Sequence, residues 1–405
     1  MSFPDTIALK KNYPVWVIFN FVVLAAAGAL LRYMHCFSIL GINYQFLLHS
    51  HSHFAFAGWM FLAIILLFFY YFKEDNSILK SQFNQIFLFT LLVSFGMLIS
   101  FFLTGYKVIS IVLSTLFVFV GYWFVYIIFK GKTFKNSNNA PAAILLKSAL
   151  FFLLISSLGP FGLGYLKGAE FKNLALQQNA IYFYLHFQLN GFMQLALLGL
   201  FFKSYLKPKE IEGEKAGLWI KLLPISTLPL YAMFTLWVKP PVWMYILALI
   251  AAMLHFLAWI LLIFRFKADL KPLSFLARIA FIAISLQFFF QILVAIPVIG
   301  NWTFGSRNLI IGYIHLLSLG SLSPLIIDLF TKAGFLKCTP KLNYFFVATT
   351  ATYLVLLFGS AFLALFQIYL PKLEVYLLVT NLILPVIGIG YFINAIRFKK
   401  ANLAF

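Results

Sequence analysis

The chain has 405 residues, 63% of them hydrophobic and only 10% charged, and carries a formal net charge of +20. That balance lies far from the composition of a water-soluble globule. The charge does not mark a nucleic-acid binder, because the lysines stand in short clusters between apolar runs rather than along one face, so no nucleic-acid partner is expected.

About 20 apolar residues are needed to cross a bilayer as a helix. Twelve stretches meet that length: 14–35, 44–72, 83–105, 108–129, 142–166, 178–202, 217–238, 241–264, 275–299, 308–330, 342–370 and 374–396. The longest polar gap is Lys203–Lys215. The expected fold is an all-α polytopic membrane protein, a single membrane domain over 1–405. Three pseudo-repeated four-helix units divide it, at about 14–129, 142–264 and 275–396. The N-terminus is a short polar stretch leading into a full-length apolar run, so no cleaved signal peptide is expected. Cys36 and Cys338 end different segments on opposite sides, which argues against a disulfide.

Basic residues set the orientation. Arg32, Lys107, Lys167, Lys172, Lys239, Arg307 and Lys372 fall on one side, and the other 23 of the 30 lysines and arginines fall on the opposite side. Both termini are therefore expected in the cytoplasm, with the chain in a bacterial-type cytoplasmic membrane and its excess charge facing membrane lipids.

Chemistry-bearing residues follow in chain order. Span 1 ends with Arg32 and His35, the latter read as a solvated interfacial residue. Span 2 carries His49, His51 and His53. His49 and His53 share a helix face and His51 points nearly opposite. Span 6 carries His186 with Gln188, Asn190 and Gln194. Span 7 has no histidine. Span 8 carries His255, read as structural. Span 9 carries Gln287 and Gln291, whose amides must be satisfied between helices. Span 10 carries Tyr313 and His315, with Arg307 at its mouth.

Three of these spans share one motif. It reads His53-Phe-Ala-Phe-Ala-Gly58, His186-Phe-Gln-Leu-Asn-Gly191 and His315-Leu-Leu-Ser-Leu-Gly320, at steps of 133 and 129 residues. A membrane histidine is costly without a partner. Counted from the outer ends, all three lie roughly 10–14 Å deep. The expectation is one histidine layer, one per four-helix unit, around a bound group, with each Gly leaving room for a flat macrocycle or a neighbouring helix. Imidazole suits haem iron and copper.

Twelve spans in three arcs, with histidines on spans 2, 6 and 10, resemble subunit I of the haem-copper oxidase superfamily. The likeness is to cytochrome oxidases, to the nitric oxide reductase large subunit and to NnrS-like denitrification-accessory haem proteins. Gly312-Tyr313-Ile314-His315 looks like the family's span 10, and Leu185-His186-Phe-Gln-Leu-Asn-Gly191 like its span 6. The resemblance implies one bis-His haem b held by His53 and His315, with His51 or His49 as the other span 2 candidates. Arg307 and Arg32 would be placed to pair with the propionates, or would be ordinary interfacial arginines. His186 would be left at a non-haem site for copper or iron. Three departures argue that the binuclear centre is incomplete: Tyr313 replaces a histidine, span 7 lacks its histidine pair, and Asn190 replaces a glutamate.

The expected function is respiratory electron transfer or the handling of nitric oxide or oxygen. A cytochrome c-type or other electron-transfer subunit would serve as partner. The alternatives are an active terminal oxidase or nitric oxide reductase with rebuilt ligands, and a cofactor-free transporter or assembly factor.

Overall fold

A computed structural model describes residues 12–134, 140–206, 214–266 and 272–401. Lys10, Lys11, Lys135, Lys207, Lys209, Lys267 and Lys271, counted above for orientation, lie outside the described residues. Among the described residues all regular structure is helical, and 12 helices are long and apolar enough to span a membrane. They are α1 (Tyr13–Cys36), α2 (Tyr44–Phe72), α3 (Ser77–Thr104), α4 (Val108–Lys130), α5 (Pro141–Gly168) and α6 (Leu174–Tyr205). The rest are α7 (Trp219–Val238), α8 (Val242–Phe266), α9 (Phe275–Val294), α10 (Arg307–Lys332), α11 (Pro340–Ala364) and α12 (Leu373–Phe398). The protein is an all-α multi-pass membrane protein, as composition predicts.

Helix starts are set by caps rather than by hydropathy. Asn43, Asn76, Asn173, Ser274 and Ser306 each accept a hydrogen bond from the backbone N–H three residues on. Each thereby satisfies one of the four orphan donors that any helix start leaves. This is why α3 begins at Ser77 and α6 at Leu174, several residues before their apolar runs. Asn76 does more. Its Nδ2 donates to Ile127 O at 3.1 Å and to Thr133 Oγ1 at 2.7 Å, tying the α2–α3 turn to the end of α4. Span 9 ends earlier than expected, at Val294, because Pro297 opens a separate short helix, Pro297–Gly305. Proline at a first helical position loses no internal bond.

The described chain falls into two compact units, 1–133 with 326–405, and 134–325. The sequence units 14–129 and 142–264 each lie inside one of them, whereas 275–396 is divided within α10. In the first unit α12 runs along α1, α2 packs on α3, and α3 on α4. In the second, α6 packs on α5, α7 on α8, α8 on α9, and α9 on α10.

Burial and polarity go together in the second unit. The most apolar window of α6 is 94% buried at a mean hydropathy of 1.3, against 39% and 2.7 for α8. A helix shut off from lipid needs no apolar coat, so α6 is free to carry His186, Gln188, Asn190 and Gln194, all buried. Its neighbour α7 is irregular for a different reason. Pro224 and Pro229 lie inside its helix, and after Leu230 the chain tightens into a 3-10 segment, Tyr231–Val238. Missing N–H groups and the change of hydrogen-bond register release backbone carbonyls from the ladder.

Candidate functional site

The histidine motifs coincide with a backbone feature. Seven residues are π-helical in each of α2 (Ala55–Phe61), α6 (Phe187–Met193) and α10 (Leu316–Leu322). These segments open two residues after His53 and directly after His186 and His315. At the far ends, Gln194 N–H bonds Leu189 O and Ser323 N–H bonds Ser318 O, five residues back in both cases. In an α-helix a residue five positions on lies about 140° around the axis. Bonding from i to i+5 brings that residue back under its partner. The His-x-x-x-x-Gly spacing therefore matches a π-helix repeat, not an α-helix one.

Gly58 and Gly191 do not leave open space for a macrocycle. A Cβ on Gly58 would sit 2.6 Å from the Phe54 ring, and one on Gly191 would sit 2.7 Å from Phe152 Cβ of α5. The room expected beside these two glycines is filled by aromatic side chains, one from the same helix and one from a neighbour. Comparing the three segments also exposes a position that the sequence analysis passed over. Two residues before each motif histidine stand His51, Tyr184 and Tyr313, so the repeat is His/Tyr-x-His-x-x-x-x-Gly.

On α2 the histidines separate by face, as helical periodicity predicts. The His53 ring stacks on Phe101 of α3 at 4.2 Å, and its Nε2 lies 2.9 Å from the Tyr106 hydroxyl. His49 meets the same Tyr106 edge-on at 4.7 Å. Tyr106 stands in the turn between α3 and α4, where burial pushes its phenol up; the hydroxyl stays protonated and can donate to His53. His51 turns to α1, where a Cβ on Gly28 would lie 3.1 Å from His51 Cε1. His35 is exposed and paired with Tyr44 at 3.0 Å. Asn20 of α1 donates to Gly58 O at 2.7 Å, satisfying a carbonyl of the π-helical segment.

His186 is fully buried and both of its nitrogens are engaged. Nε2 donates to Thr227 O of α7 at 2.8 Å, and Nδ1 accepts from Asn190 Nδ2 at 3.4 Å. Thr227 stands just ahead of the α7 irregularity, which is where a carbonyl becomes available. Asn190 Oδ1 accepts from Gln287 Nε2 at 2.7 Å, and Gln287 Oε1 from Gln194 Nε2 at 3.0 Å. Gln291 Nε2 donates to the Tyr313 hydroxyl at 2.8 Å. The glutamines expected to pair between helices do so. His255 is buried with Nδ1 2.8 Å from Ser226 Oγ, next to Thr227, and its Nε2 has no hydrogen-bond partner.

His315 bonds back along its own helix. Its Nδ1 lies 2.8 Å from Ile311 O one turn back. A carbonyl can only accept, so Nδ1 carries the proton. His53 and His315 belong to different compact units. Arg307 is exposed at the start of α10.

Arg32 is neither an open interfacial arginine nor one awaiting an anion. It is buried, donates to the Tyr353 hydroxyl at 2.8 Å and faces Glu374 Oε2 at 3.6 Å. Glu374 opens α12 and is one of only 10 acidic residues in the chain, a rarity that could have pointed to this pair. Replacing Glu374 with Gln should cost about 1–2 kcal/mol. The value is reduced from the usual cost of breaking a buried pair, because the Glu374 side chain is 43% exposed. Thermal unfolding in detergent measures it, and an unchanged midpoint would show that Tyr353 alone holds the arginine.

Among the described residues no group of three or more His, Cys, Asp or Glu side chains could hold a metal ion. Compared with known proteins, the chain matches no protein-family model and no curated sequence.

Proposed function

We propose that this is an integral membrane b-type haem protein resembling subunit I of the haem-copper oxidases, acting in electron transfer or in handling nitric oxide or oxygen. The observation that carries this reading is the threefold recurrence of a π-helical segment at His-x-x-x-x-Gly. π-Helical turns are rare, cost hydrogen-bond geometry and occur frequently at functional sites. Three of them, each placed within two residues of a motif histidine, argue that these histidines are the working residues.

His315 is the first ligand we assign, because its Nδ1–H is already committed to Ile311 O. The resemblance, rather than any contact between the two units, assigns the second imidazole to the α2 histidines His53, His51 or His49. His53 has its Nε2 beside the Tyr106 hydroxyl, and His51 stands at the repeat position shared with Tyr184 and Tyr313, which is the position we rank first. When bound, haem would supply reversible one-electron chemistry and a site for a diatomic ligand. The chain's own contribution is to fix the imidazole tautomers. His186 has no nitrogen left for a metal, so this reading includes no binuclear centre. Both termini face the cytoplasm of a bacterial-type inner membrane, with a cytochrome c-type or other electron-transfer subunit as donor.

Reduced-minus-oxidised spectra and a pyridine haemochrome assay on the purified full chain test this. A b-type α-band in the wild type, lost in His315→Ala and His51→Ala and retained in His53→Ala, is expected. A wild-type protein without that band overturns the haem assignment. Loss in His53→Ala with retention in His51→Ala would restore His53 as the ligand.

A further inference from the structure

The buried amides of the second unit form a hydrogen-bonded row whose direction is fixed by its chemistry. Thr227 O can only accept, so His186 Nε2 must carry the proton that reaches it at 2.8 Å. His186 Nδ1 is then a lone pair and must face the Asn190 amide nitrogen. That turns Asn190 Oδ1 toward Gln287 Nε2, and Gln287 Oε1 toward Gln194 Nε2. Each amide orientation follows from the one before it. The row ends on Gln194 Oε1, which is buried and has no hydrogen-bond partner.

A second branch ends in the same way. Gln291, one turn from Gln287 on α9, gives its Nε2 to Tyr313 Oη at 2.8 Å. Gln291 Oε1 is likewise buried and unpartnered. Tyr313 also reaches Gln287, so both unpaired oxygens belong to side chains that touch the Gln287–Tyr313 pair. Gln194 is 1% exposed and Gln291 0%. Gln188, which accepts from Ser156 of α5, leaves a donor unpaired instead and is not part of this row.

Two buried acceptors with no donor of their own specify their ligand. A group that only accepts, such as dioxygen, nitric oxide or a halide, is excluded by sign. A cation would lack a counter-charge, since no Asp or Glu stands in α5 to α9 or in α10 up to Leu325, and an uncompensated charge in a membrane interior is costly. What remains is a small neutral hydrogen-bond donor. We propose that Gln194 Oε1 and Gln291 Oε1, beside Gln287 and Tyr313, form an internal water-binding site of α6, α9 and α10. Buried water typically makes about three hydrogen bonds to polar groups left unpaired by the protein, and the phenol oxygen of Tyr313 is the third partner at hand. The site does not depend on the haem assignment.

High-resolution electron cryomicroscopy of the full chain tests it, in buffer with choline as the sole monovalent cation. One water-sized peak, or a bonded pair of peaks, is expected within about 2.6–3.2 Å of both Gln194 Oε1 and Gln291 Oε1. The same density should vanish in Gln291→Met, and the wild-type map alone decides if that variant does not fold. No peak, or one reaching only one of the two oxygens, overturns the shared site. A peak that appears only with sodium, potassium or ammonium overturns the neutral donor, and density larger than two waters overturns water as the occupant.

Discussion

Replacing His186 with alanine should lower the unfolding free energy by about 3–5 kcal/mol. Two costs combine. The imidazole is fully buried among Phe187, Tyr231 and Phe234, so its removal opens a cavity. It also leaves Thr227 O and Asn190 Nδ2 unpaired in a region without solvent to replace the bonds. The row from Asn190 to Gln194 loses the carbonyl anchor that orients it. His186→Gln retains a donor and should lose less. Thermal unfolding of the full chain in detergent reads both. A loss below about 1 kcal/mol for alanine would mean that the amides reorganise freely, and the fixed direction of the row would be wrong.

The second large effect is expected at Gly159 of α5. A Cβ there would fall 2.6 Å from Ala180 O and 2.9 Å from Tyr184 N, both backbone atoms of α6. Backbone cannot rotate aside as a side-chain end can, so α5 must move off α6. Gly159→Val should cost about 3 kcal/mol, at the upper end of overpacking effects. Gly162 and Gly164 lie on the same helix with nothing within 4 Å of a Cβ. Alanine at either should be neutral or stabilise by about 0.5–1 kcal/mol through helix propensity. Equal losses at Gly159 and Gly162 would show that contact between α5 and α6 is not what the glycine serves.

Most of the architecture is legible in the chain because membrane spans obey a local rule. Each must bury its own backbone hydrogen bonds and coat itself with apolar side chains, so length and hydropathy alone find all twelve. The helix starts of α3 and α6 were legible too, through Asn76 and Asn173, but a reading by hydropathy passes over polar caps. The rarity of acidic residues likewise marks Glu374, the carboxylate that Arg32 faces within the chain.

The histidine motif was visible, but its meaning depended on which helix it was wound into. Read on an α-helix, Gly58, Gly191 and Gly320 lie off the face of their histidines. Read on a π-helix, Gly191 and Gly320 lie beneath theirs, whereas His53 stands in the α-helical stretch ahead of its π-helical segment. Sequence recorded the spacing of five and, unnoticed, the His51, Tyr184 and Tyr313 repeat, yet no local propensity selects an i+5 register over i+4. Packing and outside partners hold that register, among them the Phe54 and Phe152 rings over two of the glycines and the Asn20 amide on Gly58 O.

The amino-acid sequence by itself thus determined the spans, the membrane class and the identity of the repeated histidines, since these follow from hydrophobicity and spacing along one strand of chain. Tertiary structure alone decided how each histidine is used. Whether an imidazole nitrogen is spent on Thr227 O, on the Tyr106 hydroxyl or on Ile311 O depends on which carbonyl or phenol stands opposite. For His186 and His53 that neighbour is set by contacts between residues 41 and 53 positions apart. His315 bonds a carbonyl of its own helix, Ile311 O, so there the tautomer was within reach of a helical reading of the chain.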